Sequence, residues 1–106
     1  HAVPEFEYRE LDRVRVKGKD KPVTIYEPLG LLENVPKEER KLLKQFHIGI
    51  KYYRAQQWDM AEREIFALSS LDPERKIYQI YLDRIMYFRE NPPDSDWDGS
   101  FTHTSK

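Results

Sequence analysis

Hydrophobic and polar residues alternate in two short runs near the start of the chain. Such alternation is typical of strands that bury one face. Glycine, lysine and proline between Gly18 and Pro22 mark a turn between the runs. The pattern predicts a β-hairpin over residues 10–28, whereas His1–Tyr8 shows no firm period and is predicted to be irregular. The alternating apolar residues are Val14, Val16, Val23 and Ile25.

A long helical region follows the hairpin. Pro36 suits the first position of a helix, and Glu38 and Glu39 suit the positive end of the helix dipole. The helical pattern continues to Glu90, and Asn91-Pro92-Pro93 ends it because proline disfavours helix in the residue before it. The chain is predicted to divide into a hairpin region 1–30, a linker 31–36, a helical region 37–90 and an acidic tail with Trp97, 91–106.

A spaced set of residues in the helical region resembles a tetratricopeptide repeat running from Leu42 to Arg75. Its members stand 3, 9 and 12 residues apart in succession. Two antiparallel helices pack closely only where small residues lie at their crossing, which is the place of Gly49 and Ala61 in the pattern. The match departs from the repeat at Gln45, where a large aromatic residue is usual. The spaced residues are Gly49, Tyr52, Ala61 and Pro73.

No second full repeat follows, because Asp83 occupies the place where glycine would recur. The helix after the repeat is therefore predicted to be a cap, opened by Pro73 with Asp72 as its N-cap. Together the patterns predict an α+β fold in which a β-hairpin is followed by a tetratricopeptide-like helical hairpin and a third capping helix.

Composition limits the kinds of partner. The 106 residues carry 18 Lys and Arg against 19 Asp and Glu, a net charge of -1 that gives no argument for nucleic acid or for an acidic membrane surface. No apolar run approaches the roughly 20 residues of a membrane span, and cysteine is absent, which is compatible with a reducing compartment. We predict a cytoplasmic segment without nucleic-acid or membrane contact. Because it begins with His1, we expect it to be a piece of a longer protein.

The hairpin region carries a recognisable motif. Leu11–Lys19, LDRVRVKGK, and Pro22–Gly30, PVTIYEPLG, resemble the end of the catalytic domain of class III adenylate and guanylate cyclases, over about the first 30 residues. The segment PPDSDWDG, Pro92–Gly99, resembles a closing segment of bacterial, sensor-linked cyclases. The resemblance implies that the chain is the C-terminal end of an enzyme that converts ATP or GTP to the cyclic monophosphate and pyrophosphate. Any membrane anchor of that enzyme would lie in segments upstream of this chain.

The resemblance gives one residue of the hairpin a role. The family's lysine that matches Lys17 lies near the triphosphate of the nucleotide, so the resemblance implies that Lys17 is a phosphate contact. An ammonium is a compact donor to phosphate oxygens, and Gly18 lets the backbone turn sharply beside it. The alternative is that Lys17, Lys19 and Lys21 are solvated turn residues.

The remaining catalytic groups of the family are not found in the sequence. A class III cyclase needs two metal-binding aspartates, a purine-selecting pair, and an Asn and an Arg that stabilise the transition state. Asp12 and Asp20 lack the partners that a two-metal site requires, and three scattered histidines give no metal-ligand spacing. We predict that the chain alone is inactive and holds no cofactor, with Mg or Mn expected in the parent enzyme.

An apolar stripe in the first helix is the candidate partner-binding surface. Its residues recur at spacings of 3, 4 and 3, and a single repeat does not cover such a stripe. Large exposed apolar patches usually mark an interface, so the hairpin, the Trp97 tail, the remainder of the cyclase domain, another protein or a second copy must cover it. The alternative is that the stripe is ordinary core in contact with the hairpin. The candidate residues are Leu43, Phe46, Ile50, Tyr53 and Trp97.

Two other functions remain open from the sequence. The chain can be a free-standing tetratricopeptide-type protein-interaction module whose hairpin is only a remnant of a fold. A third hypothesis is a nucleic-acid binder that uses the basic residues of the hairpin, although Arg13 and Arg15 are more typical of a solvated strand face.

Overall fold

The structure is a computed structural model and describes residues 6–16 and 21–103. Within these residues one three-stranded sheet is accompanied by three helices, which confirms the predicted α+β fold of a hairpin followed by helices. The elements are β1 (Phe6–Val16), β2 (Val23–Leu31), a short 3-10 turn (Leu32–Asn34), α1 (Lys37–Arg54), α2 (Trp58–Leu71), α3 (Lys76–Glu90) and β3 (Phe101–His103).

Strands β1 and β2 form the predicted antiparallel hairpin, and it is longer than predicted. Pairing extends from Phe6 opposite Leu31 to Val14 opposite Val23. Bulges shift the register between Glu7 and Tyr8 and again after Glu10. A bulge adds one residue to one strand and so breaks the alternation of faces, which is why the irregular backbone predicted up to Tyr8 is wrong from Phe6 onward.

The tail contributes a third strand that the sequence does not predict. The sheet has the order β2-β1-β3, so β1 lies in its centre. Strand β3 runs parallel to the end of β1, with Arg15 opposite Thr102. Three residues are too few to show a period of two, and their partner strand lies far away in the sequence.

Helices α1 and α2 approach each other closely at Gly49. A Cβ atom placed on Gly49 would lie 2.9 Å from Cγ1 of Ile65, closer than carbon atoms in contact normally approach. Ala61 is completely buried. The crossing therefore leaves no room for a larger side chain at position 49.

The predicted start of α3 is wrong by a few residues. Arg75, not Asp72, is the residue before the first turn of the helix, and Pro73 lies in the turn between α2 and α3. The N–H of Asp72 donates to the carbonyl of Leu68 and closes α2, while its carboxylate pairs with Nε of Arg75 at 3.1 Å. Asp72 does not cap α3, because the helix begins only at Lys76, four residues further along the chain.

The chain folds as two compact units. One contains the described residues up to Leu43 and those from Ser100 on, and the other is Lys44–Gly99, so the division falls within α1. In the first unit Val14 is buried, and the buried Arg9 pairs with Glu27 at 2.9 Å. The second unit has its own core, formed by Phe46, Ile50, Tyr53, Ala61, Ile65, Leu68, Tyr78, Tyr81, Ile85 and Phe88.

None of the helices in the described part of the chain combines the length and the apolar character that crossing a bilayer requires.

Candidate functional site

Lys17, the predicted phosphate contact, lies outside the described residues. The strands on either side of it in the sequence are described, and Val14 and Val23 form the pair nearest to it in their ladder. The role of Lys17 in holding a triphosphate stays a prediction that rests on the family resemblance.

The four stripe residues of α1 are buried within the chain itself. Leu43, Phe46, Ile50 and Tyr53 are between 0% and 4% exposed. In the helical unit the ring of Phe46 lies 5.5 Å from that of Tyr78 and 5.8 Å from that of Tyr81, both on α3. The third helix thus covers the ring of Phe46 and also that of Tyr53, which lies 4.9 Å from the ring of Tyr81. A protein partner can reach these two rings only after the helices separate.

Trp97, the fifth candidate, belongs to a cluster of four aromatic rings. Its ring centroid lies 5.1 Å from that of Phe88, 5.4 Å from that of Tyr53 and 6.0 Å from that of Trp58. Trp58 and Phe88 stack on each other at 5.4 Å. Aromatic side chains bury a large area at little entropic cost, so Trp97 is the residue that fastens the tail to the helical unit.

Contacts with Gln56 and Arg54 hold the tail on the two sides of Trp97. The side-chain amide of Gln56 donates to the carbonyl of Asp94 at 2.8 Å, from a turn in which Gln56 has a positive φ of 61°. Gly99 has a φ of 84°, and a Cβ there would lie 2.7 Å from Cγ of Arg54. Glycine alone combines that backbone with so close an approach. The tail is therefore bound along its length from Asp94 to Gly99.

An ion-pair cluster joins α2 to α3 beside a surface cleft. One guanidinium nitrogen of Arg89 lies 2.6 Å from the carboxylate of Asp59 and 2.7 Å from that of Glu62. The hydrogen bond that Arg89 donates to Glu62, followed by the one that it donates to Asp59, raises the pKa of Arg89 above its ordinary value. The cleft has a volume of about 330 Å³. It is lined by Gln56, Gln57, Trp58, Asp59, Met60 and Arg89.

Replacing Arg89 by Gln is expected to lower the free energy of unfolding by at most about 1 kcal/mol, because exposed ion pairs contribute little. The loss should shrink in 1 M salt, which screens the attraction. Since the folded-state pKa is raised, titration of Arg89 itself removes the contribution only at strongly alkaline pH. Urea titrations at low and at high salt measure the loss of stability and its screening by salt. Arg63→Gln, at an exposed position of α2, is the control. An equal loss at both salt concentrations would contradict an electrostatic origin.

The sheet unit exposes an aromatic face that the sequence analysis missed. Phe6, Tyr8 and Tyr26 are 51%, 46% and 56% exposed. The ring of Tyr8 lies 6.3 Å from that of Phe6 and 6.2 Å from that of Tyr26. The only sequence signal for this face is the presence of three aromatic residues in the segments that form β1 and β2. Their spacing shows no regular period, because bulges shift the register of β1.

Within the described ranges 6–16 and 21–103, no group of three or more His, Asp or Glu residues is placed to hold a metal ion. Comparison of the chain with protein-family models, with curated proteins and with solved structures finds no match. The function is therefore argued from the residues and geometry of the chain itself.

Proposed function

We propose that this chain is the C-terminal regulatory or assembly end of a class III nucleotide cyclase. The observation that carries the proposal is the antiparallel pairing of β1 with β2 on the two sides of the Val16-Lys17-Gly18-Lys19 motif. The sequence of the motif combines basic residues with a glycine, and the two paired strands lie on either side of Lys17-Gly18-Lys19 in the sequence.

In the parent enzyme the reaction is an internal displacement at the α-phosphorus. The oxygen of a ribose hydroxyl forms the new bond to phosphorus and gives up its proton to water. The bond to the bridging oxygen breaks, and pyrophosphate leaves with the electron pair. Lys17 is assigned a contact with the triphosphate, where its charge offsets the negative charge that grows on the leaving group. The metal-binding and transition-state groups belong to the remainder of the cyclase domain, where Mg or Mn would be held.

The helical unit suggests a second candidate, a tetratricopeptide-type protein-interaction module. The close crossing at Gly49 and Ile65 and the separate core of Lys44–Gly99 favour it, and it would bind a protein partner or a second copy. The coding sequence upstream of His1 separates the two candidates. Paired metal-binding aspartates in the same reading frame support the cyclase, whereas an unrelated upstream sequence supports the module.

We expect the chain alone to produce no cyclic nucleotide from ATP or GTP with Mg or Mn. In the full-length enzyme, Lys17→Ala should raise KM or lower turnover with the fold intact, by about 10- to 150-fold in kcat/KM, because hydrogen bonds to charged groups contribute about 1.5–3 kcal/mol. Initial rates of cyclic nucleotide formation and a thermal melt measure this.

Lys19→Ala is the matched control, since the resemblance gives Lys19 no contact. Equal kinetic damage from the two substitutions would indicate a diffuse basic surface and would contradict the assignment of Lys17. Turnover by the chain alone, abolished by Lys17→Ala, would contradict its predicted inactivity.

A further inference from the structure

One face of α2 presents charged and aromatic side chains at the surface of the helical unit. Its four residues follow one another at spacings of 3, 1 and 3, which places them on one side of the helix. Phe66 is 60% exposed, and the side chain of Asp59 is 91% exposed. The four side chains line a shallow depression of about 310 Å³. This α2 face consists of Asp59, Glu62, Arg63 and Phe66.

The α2 face has an exposed ring at one end and an open cleft at the other. The cleft of about 330 Å³ at the start of α2 shares Asp59 with this face, and Trp58 and Arg89 also line it. A cavity of about 150 Å³ already holds a benzene ring. Phe66 lies seven residues beyond Asp59, about 10 Å along the helix axis. One molecule therefore displays both a ring and a cleft large enough to receive one.

The charges between the ring and the cleft are arranged for self-pairing. Glu62 and Arg63 lie at the midpoint between Asp59 and Phe66. A two-fold axis through that midpoint places Arg63 of one copy opposite Glu62 of the other, and the reverse. The same axis places Phe66 of each copy opposite Asp59 of the other, at its cleft. Such reciprocity is what a two-fold interface requires.

We propose that two copies of the chain associate weakly through their α2 faces, with each Phe66 seated in the cleft of the other copy. The seated ring gains an aromatic contact with Trp58 and a cation–π contact with Arg89. One helix face forms an interface at the low end of known sizes, which is typical of transient complexes. We therefore expect a monomer at low micromolar concentration and a dimer toward millimolar. The contact uses only the helical unit, so it goes beyond both proposed functions and requires no cyclase activity.

Sedimentation equilibrium of the 106-residue chain, from low micromolar to millimolar concentration, measures the association. Phe66→Asp should raise the Kd of the dimer at least about tenfold, because truncation of a seated aromatic anchor is costly. Tyr87→Asp is the matched control. It removes a ring that is 55% exposed on α3, and it should leave the Kd unchanged.

Charge reversal tests the pairing of Glu62 with Arg63. Arg63→Glu and Glu62→Lys each bring like charges together between identical copies, so each variant should dimerise at least about tenfold more weakly than the parent chain. In a one-to-one mixture the contacts between the two variants join opposite charges, and most of the parent affinity should return. Lys51→Glu, at an exposed position of α1, makes the same change of net charge as Arg63→Glu and should have no effect.

The indole N–H signal of Trp58 in NMR spectra reports on the cleft itself. It should shift as the parent chain is concentrated and stay fixed in Phe66→Asp. A parent chain that remains monomeric at millimolar concentration would overturn the pairing, whatever else then covers the α2 face. Dimers that survive Phe66→Asp, or a mixture of the reversed variants that stays monomeric, would also overturn it. None of these outcomes bears on the cyclase assignment, which the upstream coding sequence decides.

Discussion

Phe46→Asp is expected to unfold the helical unit. The ring of Phe46 is completely buried and lies against Tyr78 and Tyr81. Loss of a buried Phe side chain costs about 3–5 kcal/mol, and burial of an uncompensated carboxylate adds several more. Domains of this kind are stable by only about 5–15 kcal/mol. Circular dichroism during urea titration should show loss of helix at much lower denaturant than in the parent chain.

Phe66→Asp is the matched control for this experiment. Phe66 lies on α2 and is 60% exposed, so the same change there should alter the free energy of unfolding by about 0.5 kcal/mol or less. Sedimentation of both variants tests whether an oligomer instead depends on Phe46. A folded Phe46→Asp chain with parent stability would contradict the buried position of this ring.

The second large effect is expected from Gly49→Leu. A Cβ atom placed on residue 49 would already lie 2.9 Å from Cγ1 of Ile65 and 3.4 Å from Cβ of Glu64. Overpacking of a core typically costs about 1–3 kcal/mol and occasionally more, and a leucine at a helix crossing belongs at the upper end of that range. Ala61→Leu, at a fully buried position of α2, should cost a similar amount. Thermal melts of both variants measure the loss.

Gly49→Ala separates the close approach from the general weakness of glycine in a helix. Alanine gains about 1 kcal/mol of helix propensity but introduces the carbon that meets Ile65, so we expect a net change smaller than that for leucine. Lys51→Leu, on the exposed side of α1, controls for added apolar surface. If Gly49→Leu and Ala61→Leu both melt like the parent chain, the predicted repeat register from Leu42 to Arg75 is wrong.

The fold was predictable where a local pattern determines the packing. Alternation of apolar residues indicated the hairpin, and the spacing of Gly49 and Ala61 indicated the close crossing of α1 and α2. The start of α3 was not predictable, because Asp72 and Pro73 suit the start of a helix and also suit the turn that they form between α2 and α3. Strand β3 was not predictable because its partner β1 lies more than 80 residues earlier.

The candidate site was predictable only in part. The spacing of the α1 stripe correctly marked side chains that something must cover, but periodicity alone does not say whether the cover is α3 or another protein. The ion pairs of Arg89 were missed because Asp59 and Glu62 lie 30 and 27 residues away from it in the sequence. No local sequence pattern links charged residues that are so far apart. The partner-binding role of Trp97 stays a prediction, and its ring neighbours Trp58 and Phe88 were not predictable because they come from separate helices.

Pro28 affects how the sheet can extend beyond β2. Among the described residues β2 is an outer strand, and Pro28, opposite Tyr8, is exposed on it. Proline has no N–H to donate to an incoming strand, so a ladder that a neighbour adds along β2 lacks a donor at this position. Outer strands are templates for unwanted association between molecules, and a proline within them is one way in which proteins prevent it. Pro28 thus makes the hairpin resistant to edge-to-edge aggregation despite the exposed Val23 and Tyr26 beside it.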